Sequence, residues 1–372
     1  MNNPRFGLIV NPIAGMGGRV GLKGTDGPAI LARARELGAI PVSGARASIT
    51  LGKLHKLTED TALKCAPGEM GETIARAAGF SPEVIGDPIL DQSTRSDTIR
   101  WTRELKDSGI DLLLFAGGDG TARDIVESIG LTQLVLGIPA GVKIHSAVYA
   151  KTPDIAAHIT SRYLRGRMNR YVEAEVLDID EDSYRKGQLR AKLYGYLRVP
   201  AYRHLTQGLK SGSPPSDQID QSSIAEAVIE EMDLECYFIL GPGSTTAAIT
   251  EKLGLDGTLL GIDLLLNREL VGKDMNESEL LAAIGQSRAK IVVTPIGGQG
   301  FILGRGNQQI SPAVLRRIGK DNLIIISTKR KIQELQGRSF LIDTGDDLLD
   351  KAFKGFYKVI TGYHDRVVYK VG

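Results

Sequence analysis

One carboxylate, Asp119, stands among glycines at the end of an apolar run. Leu112 to Ala116 leads into Gly117, Gly118, Asp119, Gly120 and Thr121, and a helical pattern follows. Glycines in such a turn let a phosphate approach the backbone, and the N–H groups that open the next helix attract anions. An aspartate there would repel a phosphate. It can instead activate a hydroxyl, or hold a metal that bridges phosphates. The plainer alternative is an N-cap in a tight turn. The buried strand before it and the glycines on both sides weigh toward chemistry.

Three other turns follow apolar runs in the same way. "VNPIAGMGGRVG" contains Asn11, Gly15, Gly17 and Gly18, a second candidate cradle for phosphate. It lacks the Gly-Lys-Ser/Thr of a P-loop. "GIPAGVKIHSAV" (137–148) offers Gly141, with Lys143 for phosphate charge and Ser146 for a hydroxyl contact. His145 beside them reads as structural, because no second ligand lies at a metal-binding offset. "GPGSTTAAI" (241–249) places Gly243, Ser244, Thr245 and Thr246 at a helix start. The basic run "TKRKIQEL" (328–335) reads as a solvated face.

Strands and helices must position these turns. "FGLIV", Leu112–Ala116 and "LVLGIP" are continuous apolar runs, as expected of parallel strands covered on both faces. Between them, Ile30, Leu31, Ala34 and Leu37, then Ile99, Thr102 and Leu105, then Ala122, Ile125, Val126 and Ile129 recur at helical spacing. Thr152 and Pro153 open a further helix. After about residue 168, "YVEAEVLDID" and "LYGYLRVPAY" alternate like antiparallel strands. Residues 207–223, poor in apolar side chains, read as a loop or flap, and a helix is expected over 223–232. "DDLLDKAFKGFYKVI" reads as a helix and "DRVVYKV" as a strand. The expected fold is therefore α/β: a doubly wound N-terminal domain over 1–168 and a β-rich α+β domain over 169–372. The segment 346–372 is a candidate to pack back on the first domain.

The composition excludes several classes. The 372 residues carry 46 Lys plus Arg against 44 Asp plus Glu, so no basic field exists to hold nucleic acid or anionic lipid. No apolar run approaches ~18 residues, so no membrane span is expected. The N-terminus shows no secretory pattern, so a cytoplasmic location is expected. Cys65 and Cys236 fit no metal or redox spacing and read as buried small hydrophobes.

Taken together, the Gly-Gly-Asp-Gly turn at 117–120, "VNPIAGMGG" and "GPGSTTAAI" resemble the superfamily that joins NAD kinases, diacylglycerol and sphingosine kinases and 6-phosphofructokinases. "GIPAGVKIHSAV" and "GGQGFILGRGNQQISP" resemble a branch of ATP-NAD kinase-like proteins that includes an acetoin-catabolism-associated member. The resemblance implies two domains with a cleft between them, ATP or polyphosphate as donor, Mg²⁺ or another divalent cation, and a homodimer or homotetramer. It implies that Asp119 contacts the ribose 2′-hydroxyl of NAD, and that Ser244, Thr245 and Thr246 contact nucleotide. NAD kinases also carry an Asn-Glu pair after the Gly-Asp turn. None lies between Gly120 and Gly241; Asn276-Glu277 comes later and reads as a helix start.

The sequence thus points to a kinase that phosphorylates a hydroxyl, first of all the 2′-hydroxyl of NAD. Asp119 would act as general base or orienter. The backbone of Gly117, Gly118, Gly120 and Thr121 would hold phosphate. Another small polyol or a lipid as acceptor, and a nucleotide-sensing regulator with little turnover, remain as alternatives. If Asp119 is a base, Asp119→Asn should lower turnover with little change in melting temperature.

Overall fold

The computed structural model describes residues 4–22, 28–58, 61–87, 93–141, 144–168, 170–179, 191–202 and 217–372. The chain divides into two units. The first is essentially residues 1–209 and the second 210–372, with residues 17–23 and 37–39 grouped in the second.

The first unit is built on β1 (Phe6–Val10), β2 (Leu63–Cys65), β3 (Glu83–Val84), β4 (Leu112–Gly117) and β5 (Val135–Pro139). These pair in the order β3-β2-β1-β4-β5, and every pairing is parallel. The apolar runs are continuous because alternate residues enter two different layers. Phe6, Leu8, Val10, Leu112 and Leu114 pack with Ala47, Leu51 and Leu54 of α2 (Ser43–Leu57) and with Ala156, Ala157 and Ile159 of α6 (Pro153–Leu164). Ile9, Leu113, Phe115 and Val135 pack instead with Trp101 and Leu105 of α4 (Arg95–Asp107) and with Ala122, Ile125 and Ile129 of α5 (Asp119–Ile129). α1 (Pro28–Glu36) and α3 (Glu72–Ala77) complete this part. The expected cap at Thr152 forms, its hydroxyl accepting from the Ile155 N–H.

Strand order decides where a ligand can bind. The chain leaves β1 toward β2 on one side and, later, enters β4 on the other side. The sheet therefore changes winding direction between β1 and β4. In open α/β sheets, ligands bind beyond the carboxyl ends of the strands at such a switch point. Val10 and Ala116 are directly paired there, and both strands run on into glycine-containing turns.

Two features of this half are not apparent from local sequence. The helix α2 does not stand out in the sequence because its buried stripe mixes Ala47, Leu51 and Leu54 with Ser43, Arg46 and Thr50. The first contact unit also takes in residues beyond 168. The antiparallel pair β6 (Tyr171–Ile179) and β7 (Ala191–Pro200) belongs to it. Ala174, Val176, Leu197 and Val199 join the α5 core layer, so within this unit the alternating sequence builds a further layer.

The second unit carries β8 (Tyr237–Leu240), β9 (Asp263–Leu266), β10 (Glu269–Gly272), β11 (Ala289–Val293), β12 (Phe301–Leu303), β13 (Leu323–Ile326), β14 (Leu341–Ile342), β15 (Gly355–Ile360) and β16 (Arg366–Val371). Among the described residues its main sheet has seven strands, in the order β10-β9-β8-β11-β13-β15-β16. β8, β11, β13 and β15 are parallel, while β9, β10 and β16 are antiparallel additions at the edges. One face carries α7 (Asp217–Glu230) and α8 (Ser244–Lys252). The other carries α9 (Glu277–Ile284), α10 (Pro312–Ile318) and α12 (Asp347–Phe353), and α11 (Lys329–Glu334) follows β13.

The candidate flap 207–223 becomes helix from Asp217 onward, while residues 207–216 lie outside the described residues. The expected helix over "DDLLDKAFKGFYKVI" stops at Phe353, and Gly355–Ile360 is strand β15. Residues 346–372, a candidate to return to the first domain, are built into this second unit. Both cysteines are free and buried as expected, and burial pushes the Cys65 thiol up to about 12. Among the described residues no helix is long and apolar enough to cross a membrane.

Candidate active site

The switch point gathers three of the sequence-predicted turns. Asn11 leaves β1 with its Nδ2 donating to Thr121 Oγ1 at 3.0 Å, while its Oδ1 accepts from the Ile13 N–H at 3.2 Å. One side chain therefore ties the first turn to the Gly-Asp turn and shapes its own turn as well. Gly15 has φ +82°, and a Cβ there would lie 2.1 Å from the Ala140 carbonyl oxygen. Only glycine fits both the left-handed conformation and that approach. Gly118 and Gly141 touch backbone to backbone: a Cβ on Gly141 would stand 2.8 Å from the Gly118 Cα. Tyr149 fixes the same place from beneath, its hydroxyl donating to the Gly118 carbonyl.

Asp119 begins α5 and folds its carboxylate back across the cluster. Its Oδ2 accepts from the His145 N–H at 2.7 Å, and its Oδ1 accepts from the Ser146 N–H at 3.0 Å. The His145 Nδ1 also stands 3.2 Å from Oδ2. The Asp119 and His145 side chains are each only 5% exposed. This buried carboxylate thus joins the β4–α5 turn to the turn after β5. Hydrogen bonds to a charged acceptor contribute roughly 1.5–3 kcal/mol each. Replacing the carboxylate by an amide would set an NH₂ against an N–H donor. These hydrogen bonds argue against the expectation of little change in melting temperature for Asp119→Asn: the variant should be measurably less stable.

Several predicted contacts are committed elsewhere. The Ser146 hydroxyl donates to the Leu177 carbonyl at 2.9 Å and accepts from the Leu177 N–H at 3.1 Å. It pins β6 and is fully buried, so it is not an open hydroxyl for a nucleotide. Thr121 is buried against Asn11. By contrast Asn11, Gly15, Gly118, Gly120 and Gly141 are half-buried. What this cluster offers a ligand is mainly backbone, which suits phosphate oxygens. Lys143 lies outside the described residues.

The structure divides the expected loop at 15–18. Gly17 and Gly18 group with the second unit, where the Leu22 N–H donates to the Gly17 carbonyl and Gly18 packs on Gln308. In that unit Gly243 precedes α8 with φ +130°. Ser244 Oγ accepts from Gln221 Nε2 at 3.1 Å, and Thr246 Oγ1 donates to the Gly243 carbonyl at 2.8 Å. Thr245 Oγ1 and Thr294 Oγ1 both accept from Lys331 Nζ, at 3.0 and 3.1 Å. Lys331 is only 7% exposed, which corrects the reading of the 328–335 run as a solvated face. Arg330 likewise turns inward and pairs with Asp217 through Nε and Nη2. Thr294, Lys331 and Tyr149 are the residues sequence reasoning missed. A lysine three positions beyond a cap threonine carries no local sign of its distant partner.

Among the described residues no three of His, Cys, Asp and Glu converge on a cation site. The carboxylate oxygens of Asp119 face N–H donors, a donor set that does not fit a protein-held divalent cation. The Asn276-Glu277 pair serves as expected of a helix start. The Asn276 side chain accepts from the Glu279 N–H at 3.0 Å, and Glu279 returns the bond at 2.8 Å.

Two family models match the chain. ATP-NAD kinase N-terminal domain covers residues 6–168, and ATP-NAD kinase C-terminal domain covers residues 234–371. No curated protein and no solved structure matches. The two matched segments span most of the chain in family order and contain the Gly-Asp turn and the Gly-Ser-Thr turn respectively; the chain belongs to the NAD kinase-like superfamily and is a kinase of that family.

Proposed function

We propose that this protein transfers the γ-phosphoryl group of ATP to the 2′-hydroxyl of NAD, giving NADP. The observation that carries this reading is the turn cluster at the β1–β4 switch point. Half-buried backbone at Gly118, Gly120 and Gly141 surrounds one buried carboxylate there. Phosphoryl transfer asks mostly for positioning and charge neutralisation, and such a cluster supplies both. The backbone N–H groups of the Gly117–Thr121 turn hold phosphate oxygens. The Asp119–His145 pair receives the acceptor hydroxyl. Mg²⁺ would be supplied as the ATP complex. The Gly243–Thr246 turn of the second unit is proposed as a further nucleotide contact through its backbone, since the Thr245 and Thr246 hydroxyls are engaged.

A second acceptor is favoured by one specific observation. Asn276 is spent on capping α9 and Glu277 accepts from the Ser311 hydroxyl, and no Asn-Glu pair follows the Gly-Asp turn before Gly241. A different small polyol hydroxyl would then replace NAD. One experiment separates the readings. Purified protein is incubated with Mg·ATP, or with polyphosphate, and with NAD, polyols or a glycerolipid in parallel. Phosphorylated product is read by ³¹P NMR. NADP formation supports the first reading, and product only with another acceptor replaces NAD. No product with any acceptor rejects kinase activity and leaves a nucleotide-binding regulator.

A further inference from the structure

The buried pair at the switch point raises a question of proton bookkeeping. A general base needs a free lone pair aimed at the hydroxyl it serves. An ionised carboxylate offers about four acceptor positions on two oxygens. Those of Asp119 already take the His145 N–H, the Ser146 N–H and the His145 ring nitrogen Nδ1. Three of the four positions are thus spent on holding the turn, and the one left, on Oδ1, belongs to a side chain only 5% exposed.

The imidazole beside it is in the opposite position. Asp119 accepts from two backbone amides, so it acts as an acceptor toward Nδ1 as well, and Nδ1 carries the hydrogen. The neutral ring then presents Nε2 as an acceptor. Among the described residues Nε2 has no hydrogen-bond partner. The ring lies in the same turn cluster as the half-buried backbone of Gly118, Gly120 and Gly141. The ring is oriented by its own backbone as well, because the His145 N–H binds the same Oδ2 at 2.7 Å.

We propose that His145, and not Asp119, takes the proton of the acceptor hydroxyl, with Asp119 as the positioning residue that fixes its tautomer and steadies the imidazolium. This rests on the kinase reading above. In the step, the acceptor O–H proton passes to Nε2 as the oxygen forms its bond to the γ-phosphorus. The bond from that phosphorus to the bridging oxygen breaks, and ADP leaves with the electron pair. The imidazolium later returns its proton to water.

The test uses the intact chain and four variants. His145→Asn keeps an N–H to donate to Asp119 but has no counterpart of Nε2. We expect kcat to fall ~10²–10⁴-fold, with KM for ATP unchanged. His145→Gly should regain part of its turnover when free imidazole is added, which a purely structural histidine would not do. Asp119→Asn should also lose kcat, and the Asp119→Asn, His145→Asn double variant should be no slower than His145→Asn alone. Histidine ¹⁵N spectra should show the Nδ1–H tautomer in the wild type and its loss in Asp119→Asn, a readout independent of turnover. If His145→Asn keeps near-normal kcat while Asp119→Asn loses it, Asp119 is the base. This assignment then falls and the kinase reading stands. If the wild type phosphorylates no hydroxyl, both fall together.

Discussion

The two units each place a glycine turn between a parallel strand and a helix, yet they charge it with opposite signs. In the first, a buried carboxylate sits in the turn and is surrounded by N–H donors from the next turn. In the second, the turn supplies the Thr245 hydroxyl, and a buried ammonium from another element donates to it and to Thr294. The first arrangement excludes anions from the carboxylate itself while its glycine backbone remains open to phosphate. The second places a cation near the start of α8, where the helix dipole also favours an anion. Under the proposed function, the first arrangement would serve the hydroxyl that reacts and the second a bound anionic group.

The largest expected effect breaks the first arrangement. Asp119→Asn should lower kcat ~10²–10⁴-fold, about 3–5.5 kcal/mol of transition-state stabilisation at ~1.36 kcal/mol per decade. Chemical denaturation should show a simultaneous loss of about 1–3 kcal/mol, because a buried N–H loses its acceptor. Stability unchanged within error would mean that the turn does not depend on this carboxylate.

Gly141→Ala tests the same cluster without touching a charge. The new Cβ must displace the Gly118 backbone at 2.8 Å. Overpacking of this kind costs about 1–3 kcal/mol, and phosphate affinity should weaken along with it. An alanine variant with wild-type ATP affinity would show that the touching backbones do not shape the ligand site.

Lys331→Met probes the second arrangement and should have a smaller effect. The hydrogen bonds to Thr245 and Thr294 are lost, but burying an ammonium has its own cost, which the substitution removes. A net loss of about 1 kcal/mol is expected in urea denaturation. Nucleotide affinity should weaken if the ammonium serves an anion near α8. A more stable variant with unaltered affinity would show that the two turns are not functional counterparts.

Lys329→Ala is the smallest change, two residues away in the same basic run. Lys329 pairs with Asp365 at 2.6 Å, and both side chains are more than half exposed. Exposed pairs of this kind contribute little, so melting temperature and turnover should both stay at wild-type values. A clear loss would mean that the whole run acts as a unit, and that the inward turn of Lys331 is not the distinguishing feature.

Legibility in the sequence follows the distance over which a feature is encoded. Strands β1, β4 and β5, the Gly-Asp turn and the caps at Thr152 and Asn276 were readable. Each depends on backbone preference and apolar spacing within a few neighbouring residues. Helix α2 escaped because half of its buried stripe is polar, and the break before β15 escaped because Gly355 sits inside an otherwise unbroken pattern.

The sequence alone determined that a lone carboxylate would arrive among glycines at the ligand end of a buried strand, because apolar continuity and turn chemistry are local properties. Only the tertiary structure decided what that carboxylate meets. Asp119 is joined to His145 and Ser146 by the crossover that sets β5 beside β4. Lys331 reaches Thr245 across 86 positions, and Arg330 reaches Asp217 across 113. Such pairings are set by strand order, which places residues together without leaving any periodic mark on the segments between them.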